Sequence, residues 1–273
     1  MPPFASHTTP AGAESTEVRR GSAPPKLWLH HRVASIFPAM TRALGRVAAL
    51  FRYPVKSMAG EKLDSVHAGW NGFDGDRRWA FIRGGLQRSG FPWLTIRENP
   101  SMWKYEPYFV EPENPDRSVT LVRTPSGAEL DVVDPELADE LGHDCTLIKQ
   151  DRGVFDTMPL SVISVQTIRA LSSIVGHDLG MRRFRPNIVV DANDGGDAPE
   201  DSWVGDIITI GEMQMRIDKR DKRCVMINVD PDTTEKNASV LRAVAQEREA
   251  CLGVYGTIVT RGNIAIGDTV SVG

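Results

Sequence analysis

The 273-residue chain is short of several things, and each shortage excludes something. No apolar run approaches the ~20 residues a helix needs to cross a bilayer, so no membrane span is expected. Cysteine is scarce: Cys145, Cys224 and Cys251 are too few for a disulfide framework, and the odd count fits a reducing, cytoplasmic compartment. Positive charge is not in surplus. Lys and Arg number 32 against 36 Asp and Glu, a net charge of −4. That balance excludes bulk binding to nucleic acid or an anionic membrane. There is no G-x-S-x-G, no P-loop and no G-x-G-x-x-G after a strand, so hydrolase, NTPase and Rossmann readings have no support. No C-x-x-C pairs the thiols and no H-x-x-x-H pairs the histidines, which disfavours a zinc ribbon or thioredoxin chemistry.

The first forty residues hold six of the eighteen prolines and show no sustained period. They read as a disordered N-terminal extension over 1–45, without the apolar core of a signal peptide. Met40 is an alternative initiator. From Arg46 the texture changes to short strand-like runs divided by Gly, Pro and Asp. The first is Arg46–Tyr53, stopped by Pro54. Others are Arg78–Arg83, Ser118–Arg123, Glu129–Val133, Cys145–Lys149, Leu160–Val165, Asn187–Asp191, Asp206–Ile210, Met213–Asp218, Val254–Thr260 and Thr269–Val272. Helices are expected over Pro135–Leu141 behind an Asp134 cap, over Ser164–Val175, and over Thr234–Glu249. The acidic, Gly-rich stretch Asp191–Asp201 reads as a surface loop. The whole predicts a mostly β fold with helical decoration (α+β), barrel-like, as an all-β part over 46–150 and a mixed part over 151–273.

Four segments place cations or a thiol at strand ends: Tyr53-Pro-Val-Lys-Ser57, Gly75-Asp-Arg-Arg-Trp79, Arg182-Arg-Phe-Arg-Pro-Asn187 and Asp221-Lys-Arg-Cys224. In an acidic chain, basic clusters at element boundaries point to a local anion pocket, since Arg grips phosphate or carboxylate through a planar fork. Any one of them alone is more readily a solvated loop charge. Cys224 follows Lys222 and Arg223, and nearby cations favour the thiolate, the form that binds metal or attacks. Cys145 reads as a packed strand residue.

Taken together, Leu50-Phe-Arg-Tyr-Pro-Val-Lys-Ser57, Asp76-Arg-Arg-Trp79, Phe184-Arg-Pro-Asn-Ile-Val189 and Arg223-Cys224 joined to Val229-Asp-Pro-Asp-Thr233 resemble MOSC-domain proteins. The nearest likeness is to those with an N-terminal β-barrel domain, the group that includes the mitochondrial amidoxime-reducing component and its bacterial relatives. The resemblance implies a MOSC β-barrel packed with an N-terminal β-barrel domain and a molybdenum cofactor, Mo-molybdopterin, between them. It also implies a metal-binding oxidoreductase, independent of pyridoxal phosphate, that reduces N-hydroxylated or N-oxygenated substrates. Carried residue by residue, it makes Cys224 the molybdenum ligand and catalytic residue. Lys56, Ser57, Arg77, Asp156, Thr157, Arg185, Asn187 and Arg223 would hold the cofactor, with Arg97 as a looser contact. No Cys-rich electron-transfer module follows, so a separate electron-donor protein is expected. The alternative is a cofactor carrier or sulfur-transfer protein using the same pocket. One departure stands out: Thr234 occupies the place of the family's Gly, so the turn there is expected to be lost.

Overall fold

The structure is a computed structural model and describes residues 41–142 and 144–273. The expectations for residues 1–40 lie outside the described residues. The strands are β1 (Arg42–Arg52), β2 (Glu61–Leu63), β3 (Ser65–Gly69), β4 (Gly72–Phe73), β5 (Trp79–Ile82), β6 (Glu106–Phe109), β7 (Thr120–Arg123) and β8 (Glu129–Asp131). They continue as β9 (Thr146–Lys149), β10 (Leu160–Ser164), β11 (Ile188–Ala192), β12 (Ile207–Ile210), β13 (Met213–Lys222), β14 (Cys251–Thr260), β15 (Gly262–Ala265) and β16 (Thr269–Val272). The α-helices are α1 (Pro135–Leu141), α2 (Val165–Val175) and α3 (Ala238–Arg248). The fold is therefore mostly β with helical decoration.

Seven strands close into a barrel, in the order β11-β10-β14-β13-β12-β16-β1 and back to β11. The closing strand β1 comes from the start of the described residues and pairs antiparallel with both β11 and β16. It begins at Arg42, four residues before the sequence-based boundary, because Leu44 packs into the lumen. Gly45 permits this: a Cβ there would lie 2.3 Å from the Asp191 carbonyl oxygen.

Alternation along the strands sorts two cores. Leu50, Val162, Ile188, Val190 and Val254 fill the lumen. Phe51, Ile163, Val189 and Leu252 face outward onto α2 and α3, against Leu171, Val240 and Val244. Both faces of these strands are buried, which suits their near-continuous apolar sequence. A third core, with Phe81, Met102, Trp103, Val122 and Leu137, sits under the smaller sheets β5–β9 and β6-β7-β8.

Two expectations are corrected. Thr234–Glu249 is helical only from Ala238, where Asn237 accepts a hydrogen bond from the Ser239 amide and caps the first turn. The segment Asp191–Asp201 is not all surface loop: Asp191 and Ala192 end β11, and Pro199–Trp203 forms a 3-10 turn that buries Glu200 completely. The Glu200 carboxylate accepts from the Ser164 amide (3.2 Å) and the Thr167 hydroxyl (2.8 Å). It thereby finishes the cap of α2, a buried partner that an acidic, Gly-rich sequence context conceals.

Candidate functional site

The four basic segments converge. Lys56, Ser57, Arg77, Asp156, Thr157, Arg185, Asn187, Arg223 and Cys224 all line one cavity of about 230 Å3. Arg97, Arg183, Asp221, Lys222 and Tyr255 line it as well. Seven cations therefore face two carboxylates, in a chain whose net charge is negative.

The wall is built where strands stop. Pro54 has no N–H and ends the β1 ladder, and the next residues turn back so that the Lys56 amide donates to the Trp79 carbonyl (2.8 Å). Ser57, Arg77 and Arg185 each take positive φ, at 68°, 51° and 51°. Left-handed backbone at a residue with a Cβ costs of order 1–3 kcal/mol, and such strain clusters at functional sites. Here three of the six strained non-glycine residues among the described ones line the same cavity.

Asp76 is the hub behind that wall. Buried, it accepts from the Tyr53 amide (2.7 Å), the Asn187 side-chain amide (3.0 Å) and the Arg77 guanidinium. Arg77 lies 4.8 Å over the Tyr53 ring. The Asn187 amide is taken up by protein partners, Asp76, the Phe51 carbonyl and Ser161, so it holds the wall together rather than presenting a free donor.

Arg185 is different. Its guanidinium is sandwiched between the rings of Tyr53 (4.2 Å) and Trp103 (4.8 Å), and one nitrogen donates to the Met58 carbonyl (2.5 Å). Its Nη2 is buried with no hydrogen-bond partner among the described residues, and so is Ser57 Oγ. Burial pulls the Arg185 guanidinium down to about 10, still charged at neutral pH. Buried polar atoms are nearly always paired, so two orphans in one cationic cavity mark a place for acceptor oxygens from a ligand. Lys56 donates to Asp156 and to the Val154 carbonyl (3.1 Å), and burial lowers its pKa.

Cys224 lines the same cavity, partly exposed, in extended backbone just before the 3-10 turn Val225–Asn228. Arg97 Nη2 lies 3.3 Å from its sulfur, with the guanidinium 4.8 Å over the Phe91 ring. Burial works against the charged Arg97, but the hydrogen bond to the Cys224 sulfur and the carboxylates of Asp156 and Glu98 are among the contributions that together hold its pKa above the usual arginine value. Next to the thiol, Arg223 is held by the buried Asp221 and the Phe184 carbonyl. Burial pushes the Asp221 carboxyl up, while Arg223 and the Tyr255 hydroxyl oppose that rise.

The turn at Thr234 is kept, contrary to expectation. Thr234 takes φ of 63°, and its amide donates to the Asp230 carbonyl (2.9 Å). The Asp230 carboxylate accepts from the amides of Asp232 and Thr233, both at 2.9 Å, and pairs with buried Arg183. The loop's own hydrogen bonds force the left-handed conformation on a β-branched residue.

Sequence reasoning placed Asp221, Lys222 and Arg183 within basic segments without assigning them a role. Tyr255 carried no signal at all. It sits in an apolar strand, and only the β10–β14 and β13–β14 registers bring it to the cavity.

The model of the MOSC N-terminal beta barrel domain matches residues 44–152 and that of the MOSC domain matches residues 149–271. Mitochondrial amidoxime-reducing component 1 of Homo sapiens is 30% identical over 128 residues, covering 42% of this chain and 37% of that protein. Mitochondrial amidoxime reducing component 2 of Rattus norvegicus is 36% identical over 78 residues, covering 29% of this chain and 22% of that one. The aligned part thus spans well under half the length of these curated relatives. Among solved structures, the YUAD protein of Bacillus subtilis has a TM-score of 0.47 at 13% identity, covering 85% of this chain and 96% of that chain. With both family models matched in tandem from residue 44 to 271, the chain belongs to the MOSC-domain family, in the branch that carries a MOSC N-terminal β-barrel domain.

Proposed function

We propose that the cavity holds a molybdenum cofactor, Mo-molybdopterin, and that the protein reduces N-hydroxylated or N-oxygenated compounds with electrons from a separate donor protein. The observation that carries this reading is the pair of orphaned buried atoms, Arg185 Nη2 and Ser57 Oγ, in a cation-walled cleft that one thiol also lines. An anionic group suits the orphaned donors and a soft metal suits the thiol. Among the described residues no three His, Cys, Asp or Glu side chains converge, so the chain offers a metal the Cys224 sulfur, and other ligands belong to the bound group.

In this reading Ser57, Arg77 and Arg185 grip the anionic part. Lys56 is held to Asp156 and Arg223 to Asp221, which fixes both cations at the wall. Thr157 lines the same wall. Arg97 orients the thiol. When bound, the group supplies two-electron chemistry at a nitrogen–oxygen bond; the protein supplies grip, orientation and field. Among the described residues no helix is long and apolar enough to cross a membrane.

The experiment is molybdenum per chain by elemental analysis, on protein made in a cofactor-competent host, with Cys224→Ser beside it. The expected result is near one molybdenum per chain in the wild type, lost or spectroscopically altered in the variant, together with turnover of an N-hydroxy substrate under a supplied reductant. Molybdenum without any turnover would instead mark a cofactor carrier. No molybdenum in either protein would refute the proposal.

A further inference from the structure

The cations of the cleft do not share its carboxylates evenly. Lys56 is paired with Asp156, Arg223 with Asp221, Arg77 with Asp76 and Arg183 with Asp230. Three remain. Arg185 is sandwiched between its two aromatic rings and is assigned above to the cofactor's anionic group. The other two are Arg97 and Lys222. Arg97 reaches the Cys224 sulfur, and its nearest carboxylate oxygen is 3.9 Å away on Asp156, whose other oxygen Lys56 holds. Lys222 is exposed, lines the same cavity two residues before the thiol, and its side chain has no ion-pair or hydrogen-bond partner among the described residues. A third cation, Lys236, caps the Arg97 carbonyl from outside (3.5 Å).

Arg97 shares Asp156 with Lys56, at its long distance, and the Lys222 side chain has no carboxylate among the described residues, so the two cations together hold more positive charge than the wall offsets; a neutral substrate gives that excess nothing to neutralise, and it repels a positively charged one. We propose that Arg97 and Lys222 are specificity-determining residues that select N-hydroxylated substrates bearing a carboxylate or another fixed anion. Arg97 supplies the planar fork, held in place by the Phe91 ring, and Lys222 supplies a mobile point charge at the rim. This inference rests on the reductase reading above and narrows its substrate class.

The test uses the molybdenum-loaded full chain with two matched substrates, an aryl amidoxime and its para-carboxylate analogue. The readout is the ratio of their kcat/KM values, in the wild type, Arg97→Gln and Lys222→Gln, with molybdenum per chain measured for each. The ratio is insensitive to any general loss of activity in a variant. The expected wild-type ratio is about tenfold in favour of the acidic compound, carried by KM and shrinking as salt rises. Each substitution is expected to reduce it several-fold. A wild-type ratio near one, or a preference that survives both substitutions, would overturn the inference and leave the reductase reading standing. Loss of molybdenum in the variants with an unchanged ratio would overturn it too, by assigning these cations to the cofactor. Failure of the loaded wild type to reduce either compound would refute the reductase reading itself, and this inference with it.

Discussion

Arg185 offers the sharpest test of whether the cleft is built for a ligand or for the fold. Its guanidinium is buried and, among the described residues, has no carboxylate partner and leaves Nη2 unpaired. Pulled down to about 10, its charged form is less favourable in the fold by about 3 kcal/mol. Substitution Arg185→Met removes that penalty and keeps a long stem between Tyr53 and Trp103. Against this gain, the Met58 carbonyl loses its donor, which costs about 1–3 kcal/mol. The two cation–π contacts are lost as well, at about 0.5–2 kcal/mol each. The terms largely offset, so the variant apoprotein should unfold in urea within about 4 kcal/mol of the wild type, with an unchanged m-value. The ligand response should differ sharply. Inorganic phosphate at a hundred times its dissociation constant adds about 2.7 kcal/mol to a protein that binds it only when folded. The wild-type apoprotein should show such a phosphate-dependent gain, and Arg185→Met should lose most of it. A variant destabilised by more than about 4 kcal/mol, or one still stabilised by phosphate like the wild type, would refute the reasoning and make Arg185 a pillar of the fold.

Thr234→Gly should stabilise the protein by about 1 kcal/mol in the same assay, because relief of left-handed strain at φ 63° exceeds the entropy cost of glycine in the unfolded chain. Thr234→Pro should destabilise it, since proline cannot take that φ and removes the amide that donates to Asp230. Asp76→Asn should cost about 3–5 kcal/mol by leaving Arg77 without its buried partner. In protein made in a cofactor-competent host, Asp76→Asn should also lower molybdenum content; native-like stability would show that Arg77 finds another partner.

Much of the architecture was legible. Short apolar runs divided by Gly, Pro and Asp announced the strands, and local capping signals announced the helices: Asp134 with Pro135 opens α1, and Ser164 opens α2. The stops were legible too, because proline's missing N–H ends the β1 ladder wherever it is placed. What escaped were partners distant in sequence. Glu200 looks like one acid in a polar loop until Ser164 and Thr167 are seen to need its carboxylate. The Thr234 turn looked lost because a left-handed residue is read from glycine, whereas here the surrounding amide bonds to Asp230 impose it.

The site divides along the same line. The sequence by itself determined which residue types stand at the strand ends, four cationic segments and one thiol, because these are local choices made at turns. It could not determine that they meet. Lys56 and Asp156 lie a hundred positions apart and Arg97 and Cys224 one hundred and twenty-seven, and each pair is joined only because β1 closes the barrel against β11 and β16 and the smaller sheets pack beside it. Tertiary structure also decided which of these cations are already neutralised and which are left over. That distinction depends on distances between side chains from separate elements, and these distances rather than composition set the field inside the cleft.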